Sequence, residues 1–145
     1  MTTSDRILEK AQQINTVIEQ FLPKEEGKQK VLLEAMNYTM KGGGKRIRPM
    51  LMQETYRLFG GKETVIEPFR LAIERVHTNA LHNDALQARD NEYYKRGRKT
   101  AHVVYGEDIA ILSGDGLLNY AFEVAASTFD TYGVREEIAR ALMVL

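Results

Sequence analysis

The stretch from residue 107 to residue 128, EDIAILSGDGLLNYAFEVAAST, decides the fold class of this chain. Its apolar residues predict a long helix that is buried along one side. Those residues are Ile109, Leu112, Leu117, Ala121, Phe122 and Val124. Nowhere in the chain do apolar and polar side chains alternate over the length of a strand. We therefore predict an all-α fold, an antiparallel bundle of about six helices.

Five more helices are predicted from the spacing of apolar residues and from Pro and Gly near the helix ends. They are expected from Ser4 to Phe21, from Val31 to Met40, from Pro49 to Phe59, from Pro68 to about Asn91, and from Arg135 to Leu145. Residues 95–100, in which Gly97 lies among four cations, are expected to form a loop. No low-complexity linker divides the chain, so a single domain over residues 1–145 is predicted.

Composition argues against several classes of function. The chain has 145 residues, with 20 Lys and Arg against 20 Asp and Glu, and it contains no Cys. Zero net charge argues against nucleic acid as a partner, because no long-range field would gather it. Without Cys, a thiolate zinc site and a cysteine nucleophile are excluded. No apolar run approaches the roughly 20 residues of a membrane span, and the first residues do not resemble a signal peptide, so a cytoplasmic location is expected.

Two basic segments are candidates for binding phosphate. Residues 42–49, GGGKRIRP, place flexible backbone and three cations ahead of a helix. Such a loop can present main-chain N–H groups and Lys or Arg side chains to a diphosphate. The second segment is KRGRK, Lys95–Lys99. The alternatives are a solvated helix connection for the first segment and an exposed charged turn for the second.

A third candidate is a group of polar residues late in the predicted fourth helix. Asp84, Asp90 and Glu92 carry carboxylates that could hold magnesium bridging phosphate oxygens. In an unbroken helix, however, Asp84 and Asp90 would lie about 120° apart around the axis, so a wetted helix end is the alternative. His77 either donates a hydrogen bond to a phosphate or is an ordinary, partly buried helix residue.

Three segments together resemble one enzyme family. They are GGGKRIRPML at 42–51, VHTNALHNDALQARDNEYYKRGRKT at 76–100 and HVVYGEDIAILSGDGLLNYAFE at 102–123. In order and spacing they are similar to the trans-isoprenyl diphosphate synthases, which make farnesyl and geranylgeranyl diphosphate, without gaps from about residue 41 to residue 126. The resemblance implies the N-terminal half of the isoprenoid synthase fold. It also implies a family reaction in which Mg²⁺, held between two aspartate-rich motifs, ionises an allylic diphosphate that then alkylates isopentenyl diphosphate.

The resemblance assigns roles to five basic or imidazole side chains. Lys45, Arg48, His77 and Arg96 match the residues that bind isopentenyl diphosphate, and Lys95 falls where the family has an arginine for the allylic diphosphate. Two or three cations and a neutral donor can surround a diphosphate whose charge would otherwise prevent its desolvation. Isopentenyl diphosphate or pyrophosphate is therefore the expected small-molecule partner.

The metal site departs from the family pattern. Asp84 and Asp90 match two aspartates of the first aspartate-rich motif, but Ala85 replaces another, Gln87 replaces a proline, and Arg89 adds a cation beside the ligands. Alanine cannot bind magnesium, and a neighbouring cation repels it. The second aspartate-rich motif lies beyond residue 145 in the family. We therefore do not expect this chain alone to hold the family's Mg²⁺ or to catalyse the reaction.

One side of the predicted fourth helix is unusually polar for this family. Arg75, Asn79, His82, Asn83 and Gln87 are predicted to face outward, where the family has the apolar wall of a cavity. Three hypotheses follow: a short prenyltransferase completed by a second copy, a non-catalytic remnant or engineered half-domain, and a binding module that retains diphosphate. Family members are typically homodimers that pack around the helix matching residues 107–128, so a homodimer is expected.

Overall fold

The structure is a computed structural model, and it describes residues 2–145. Over these residues it contains eight helices: α1 (Thr3–Gln20), α2 (Lys30–Met40), α3 (Ile47–Leu58), α4 (Ile66–Asp84), α5 (Ala101–Tyr105), α6 (Glu107–Ala126), α7 (Thr128–Tyr132) and α8 (Glu136–Val144). A hairpin of two short strands, β1 (Tyr94–Lys95) and β2 (Arg98–Lys99), lies between α4 and α5. The predicted all-α class is confirmed, and the six longer helices match the six predicted ones. Two five-residue helices, α5 and α7, were not predicted, because one turn is too short for a periodic pattern.

The start of α1 shows how a local signal sets a helix boundary. Thr2 and Asp5 cap each other: the Asp5 backbone N–H donates to Thr2 Oγ1 at 3.2 Å, and the Thr2 backbone N–H donates to Asp5 Oδ2 at 2.7 Å. This reciprocal pair satisfies N–H groups that have no partner inside the helix. The helix therefore begins before Ser4, where the sequence pattern had placed its start.

The fourth helix ends earlier than predicted. α4 stops at Asp84, and the chain then turns back on itself instead of continuing to Asn91. The N–H of Asp90 donates to the carbonyl of Asp84 at 3.0 Å, and the N–H of Glu92 donates to the carbonyl of Ala85 at 3.2 Å. These bonds satisfy the exposed carbonyls of the helix end with backbone from a later segment, which apolar spacing cannot reveal.

Residues 94–99 form a hairpin, so the prediction of a plain loop for residues 95–100 is wrong in part. Tyr94 pairs with Lys99 and Lys95 pairs with Arg98. The two turn residues, Arg96 (φ 52°) and Gly97 (φ 75°), both have positive φ, as a tight type I′ turn requires. Glycine accepts this conformation readily, whereas an arginine does so at a cost of about 1–2 kcal/mol.

The helices divide into two compact units. The first unit takes α1, Lys45–Glu74 and Tyr120–Leu145. Within it α1 contacts α3. Its interior is made of apolar side chains from α1, α3, α4, α6 and α8, including Ile14, Ile18, Met50, Phe69, Leu71 and Ile138.

The second unit takes Phe21–Gly44 and Arg75–Asn119. Within it α2 contacts α5. Its interior is built from alanine, methionine and leucine side chains, including Ala35, Met36, Met40, Ala101, Ala110 and Leu117. The prediction that residues 1–145 form a single domain stays a prediction. Across residues 2–145, no helix has both the length and the apolar composition needed to cross a bilayer.

Candidate functional site

A basic pocket lies within the second unit. The end of α2, the end of α4, the hairpin and the start of α5 line a pocket of about 80 Å³ that opens to solvent. All four cations of the hairpin line it, namely Lys95, Arg96, Arg98 and Lys99. Leu81, Ala85 and Ala101 supply apolar wall, and Gly42 and Gly43 bring backbone to the same space. A small anion with an apolar portion suits such a lining.

Arg96 links the hairpin to the glycine loop. Its guanidinium donates from Nη1 to the carbonyl oxygen of Gly43. The next residue, Gly44, has φ 151°, and a Cβ placed there would lie 2.9 Å from Arg96 Nη1. Glycine at position 44 is therefore needed both for the backbone and for the approach of the arginine. The two basic segments singled out in the sequence thus meet at this point.

Lys95 is held more tightly than a free lysine at a pocket rim. Its Nζ donates to the carbonyl of Leu81 at 2.9 Å and lies 3.4 Å from Glu92 Oε2. The side chain is about one third exposed, at 33%. Lys95 therefore joins the hairpin to the end of α4, and its assignment to an allylic diphosphate stays a prediction.

Arg46, the middle of the three cations in GKRIR, is buried and bonded to other side chains of the protein. Arg46 is 4% exposed, and its Nη1 lies 2.6 Å from Glu74 Oε1 while its Nε donates to Asn15 Oδ1 at 2.8 Å. Arg46 has φ 51° and directly precedes α3. Lys45 and Arg48, on either side of it, are exposed. The sequence does not show that Arg46 is buried while Lys45 and Arg48 are exposed, because all three residues carry the same charge.

The four residues assigned to isopentenyl diphosphate fall in both units. Lys45 and Arg48 belong to the first unit, and His77 and Arg96 belong to the second. His77 is half-buried in α4, and Arg96 is exposed. Within the second unit, the contact between Arg96 and Gly43 supports the assignment of Arg96, since Gly43 lies two residues before Lys45 in the chain. The joint action of all four residues stays a prediction.

The carboxylates present do not fit the family's Mg²⁺ site. Arg89 Nη1 lies 2.9 Å from Asp84 Oδ1, so a guanidinium already neutralises one of the two candidate ligands. Ala85, where a further aspartate is expected, is 3% exposed and offers no ligand. Between residues 2 and 145, no group of three His, Cys, Asp or Glu side chains is arranged to hold a metal ion. The separation of about 120° expected for Asp84 and Asp90 in an unbroken helix does not apply, because α4 ends at Asp84.

The polar side of α4 faces inward, which corrects the prediction of an outward surface. Arg75, Asn79 and His82 are 0%, 9% and 7% exposed, and Asn83 is half-buried; Gln87 alone is exposed, as predicted. These side chains are buried because they have hydrogen-bond partners. Arg75 Nη2 donates to the carbonyl of Phe21 at 2.6 Å, and Asn83 Nδ2 donates to Asn79 Oδ1 at 3.0 Å.

His82 joins α4 to α6 within the second unit. Its Nε2 lies 2.7 Å from the carbonyl oxygen of Ala110, so the ring donates from Nε2. Ser113 Oγ donates to the same carbonyl at 2.8 Å. Burial lowers the pKa of His82, and the hydrogen bond to Ala110 offsets part of that effect. The imidazole is thus a neutral structural group and not a ligand for phosphate.

The chain matches known proteins over most of its length. Residues 29–145 match the family model described as polyprenyl synthetase. The farnesyl diphosphate synthase of Geobacillus stearothermophilus is 43% identical over 122 residues, which is 84% of this chain and 41% of that protein. The chloroplastic geranylgeranyl pyrophosphate synthase of Catharanthus roseus is 47% identical over 104 residues, which is 72% of this chain and 29% of that protein.

Solved structures agree with these relatives. A farnesyl or geranylfarnesyl diphosphate synthase from Zymomonas mobilis aligns with a TM-score of 0.83 and 34% identity, covering 97% of this chain and 51% of that chain. A geranyltransferase from Legionella pneumophila aligns with a TM-score of 0.87 and 29% identity, covering 98% and 49%. The chain therefore spans about half the length of these structures, and the predicted N-terminal half of the isoprenoid synthase fold is confirmed. By sequence and by fold, the chain belongs to the polyprenyl synthetase family of isoprenyl diphosphate synthases.

Proposed function

We propose that this chain is a diphosphate-binding portion of an isoprenyl diphosphate synthase that does not catalyse condensation by itself. In this proposal Lys45, Arg48, His77 and Arg96 hold the diphosphate of isopentenyl diphosphate. The single observation that carries the proposal is the hydrogen bond from Arg96 to Gly43, which brings the arginine of the KRG turn to the glycine loop. Lys45 follows that loop directly in the chain.

The charges suit this ligand. A diphosphate is expensive to remove from water unless several cations and N–H donors replace its hydration. Arginine presents two parallel N–H groups to a phosphate, and charge-assisted bonds of this kind contribute roughly 1.5–3 kcal/mol each. Arg98 and Lys99 form no ion pair with any carboxylate in residues 2–145, so their charge is available to an anion.

The carboxylates of this chain are the reason that we expect no catalysis by the chain alone. The family reaction needs carboxylates that hold Mg²⁺ against the leaving diphosphate. Here Asp84 is paired with Arg89 at 2.9 Å and Ala85 cannot act as a ligand. Capture of the diphosphate without turnover is the function that these residues support best.

A second candidate is an enzyme completed by another copy of the chain. Its support is apolar surface on α6, where Leu118 and Phe122 are 36% and 42% exposed, whereas Ala121 is fully buried. Sedimentation velocity at rising protein concentration tests the proposed homodimer. A sedimentation coefficient that stays at the monomer value throughout would rule it out, and Phe122→Glu should weaken any dimer that forms.

Calorimetry with pyrophosphate tests the proposed function. Wild-type chain is expected to bind, and Lys45→Ala/Arg48→Ala is expected to bind at least about tenfold more weakly, because two charge-assisted contacts are lost. Lys28→Ala/Lys62→Ala is the matched control, since it removes two exposed lysines elsewhere in the chain. Equal heats for the wild type and the Lys45 and Arg48 variant would end the proposal.

A turnover assay separates binding from catalysis. The chain is incubated at high concentration with Mg²⁺, an allylic diphosphate and labelled isopentenyl diphosphate, and extractable prenyl product is counted. No product above the level without protein is expected. Product that scales with the concentration of this chain would contradict the non-catalytic part of the proposal and favour the enzyme completed by a second copy.

A further inference from the structure

We propose that Arg98 is a further diphosphate-binding residue, that Tyr38 positions it, and that Arg98 makes the hairpin pocket select a diphosphate over a single phosphate. This inference rests on the proposed function and adds to it a residue outside the set Lys45, Arg48, His77 and Arg96. The Arg98 guanidinium lies over the face of the Tyr38 ring, 4.3 Å from its centroid, at the wall of the basic pocket.

Tyr38 is itself held rigidly. Its hydroxyl donates to the carbonyl of Lys99 at 2.7 Å, so the end of α2 is tied to β2 next to Arg98. Tyr105, at the end of α5, meets the Tyr38 ring edge-on, with centroids 5.6 Å apart. A ring fixed from both sides offers a fixed platform, and stacking over an aromatic face restrains a guanidinium without using its N–H donors.

The donors of Arg98 remain available for a ligand. Through residues 2–145, Arg98 makes no salt bridge and no side-chain hydrogen bond; its guanidinium stacks on Tyr38 and interacts electrostatically with Tyr105. A partly buried guanidinium without an acceptor is unfavourable, and an anion is the ligand that would satisfy it. Among the hairpin cations, only Lys95 has a carboxylate partner within residues 2–145, and that partner is Glu92.

Arg98 and Arg96 approach the same stretch of backbone from the hairpin. Arg98 Nη1 lies 4.0 Å from the position that a Cβ would take at Gly42, and Arg96 Nη1 lies 2.9 Å from the corresponding position at Gly44. The two guanidinia therefore both lie close to the glycine triplet, one near each of its ends. Since each guanidinium can bind one phosphate group in a bidentate manner, this pair suits an anion with two linked phosphates better than orthophosphate.

The strained backbone of Arg96 at the hairpin turn agrees with a role in binding an anion. Arg96 keeps a left-handed conformation at φ 52° in a hairpin that carries three more cations, Lys95, Arg98 and Lys99. Both the backbone strain and the repulsion between like charges favour a function that compensates for them, and a polyanion relieves the repulsion directly.

Titration of pyrophosphate and of orthophosphate into the chain tests the inference. Arg98→Ala is expected to weaken pyrophosphate binding about tenfold or more and orthophosphate binding by less than about threefold, so that the preference for pyrophosphate falls. Lys28→Ala, which removes one exposed lysine outside the pocket, controls for net charge and should leave both affinities within about twofold.

Two variants at Tyr38 separate positioning from folding. Tyr38→Leu removes the ring and should reproduce part of the loss, whereas Tyr38→Phe keeps the ring and should bind pyrophosphate within about threefold of wild type. If Arg98→Ala fails to fold by circular dichroism, Arg98→Lys and Arg98→Gln take its place. Lys retains the charge without the fork, and Gln retains a donor without the charge, so both should lose the preference for pyrophosphate.

The outcomes distinguish this inference from the proposed function. If wild type binds pyrophosphate and the Arg98 variants bind it equally well, the role of Arg98 is overturned and the proposed function stands. If the Arg98 variants lose both anions to the same extent, the selection of a diphosphate is overturned. If wild type takes up no pyrophosphate, both the proposed function and the inference are overturned.

Discussion

The buried ion pair between Arg46 and Glu74 predicts a large loss of stability when one partner is removed. The side chains are 3% and 6% exposed, and Arg46 Nη1 lies 2.6 Å from Glu74 Oε1. Glu74→Ala would leave the guanidinium buried without its carboxylate. Breaking a buried pair by removing one partner costs about 3–5 kcal/mol. The bond from Arg46 Nε to Asn15 remains, so we expect a loss near the lower end of that range.

A surface pair of nearly the same length supplies the control. Lys10 Nζ lies 2.7 Å from Glu54 Oε1, but these side chains are 44% and 47% exposed. Solvent screens such a pair, so Glu54→Ala should destabilise the chain much less than Glu74→Ala. Replacing both members of the buried pair, as Arg46→Met/Glu74→Leu, removes the uncompensated charge and should recover most of the stability lost by Glu74→Ala.

Urea unfolding followed by circular dichroism measures these differences. With a slope of about 2 kcal/mol per M, a loss of 3 kcal/mol shifts the midpoint by roughly 1.5 M, which is easily resolved. A shift for Glu74→Ala no larger than that for Glu54→Ala would refute the conclusion that this pair is buried and structural. Failure of the double variant to regain stability would point instead to a packing role of the Glu74 side chain.

Three further predictions concern the second unit. Gly114→Ala should lower the free energy of unfolding, measured in urea, by about 1–3 kcal/mol, because the new Cβ would lie 2.6 Å from Asn83 Oδ1 and this clash exceeds the roughly 1 kcal/mol gained in helix propensity. Adding Asn83→Ala should restore the stability. An unchanged urea midpoint for Gly114→Ala would contradict this close approach. The free energy of unfolding should fall as the pH drops below 6.5, the ordinary pKa of histidine, because the unfolded chain then protonates His82 while burial lowers the pKa of the folded imidazole. That slope should be smaller in His82→Gln, and equal slopes would contradict the structural role of the ring. Arg89→Ala should change stability by less than about 1 kcal/mol, since its pair with Asp84 is 62% and 41% exposed; a larger loss in urea would show that the turn after α4 depends on it.

Local patterns in the sequence were sufficient to predict the longer helices and to identify the family. Apolar spacing and breakers such as Pro23 and Gly60 predict the six longer helices, because helix periodicity is a property of neighbouring residues. The motifs GGGKRIRPML and HVVYGEDIAILSGDGLLNYAFE identify the family because their residue types and spacing are specific. The replacement of a metal ligand by Ala85 is also visible without coordinates, because no arrangement makes alanine a ligand.

Tertiary structure alone decided which polar groups are buried. Asn79 and His82 look like an exposed polar stripe in sequence, yet α6 covers His82 and gives it a carbonyl acceptor at Ala110. Arg46 and Lys45 carry the same charge, and only Glu74 and Asn15, distant in sequence, make Arg46 structural. The reason is that burial of a polar group depends on partners brought by the fold, whereas periodicity and composition report only on the residue itself and its neighbours.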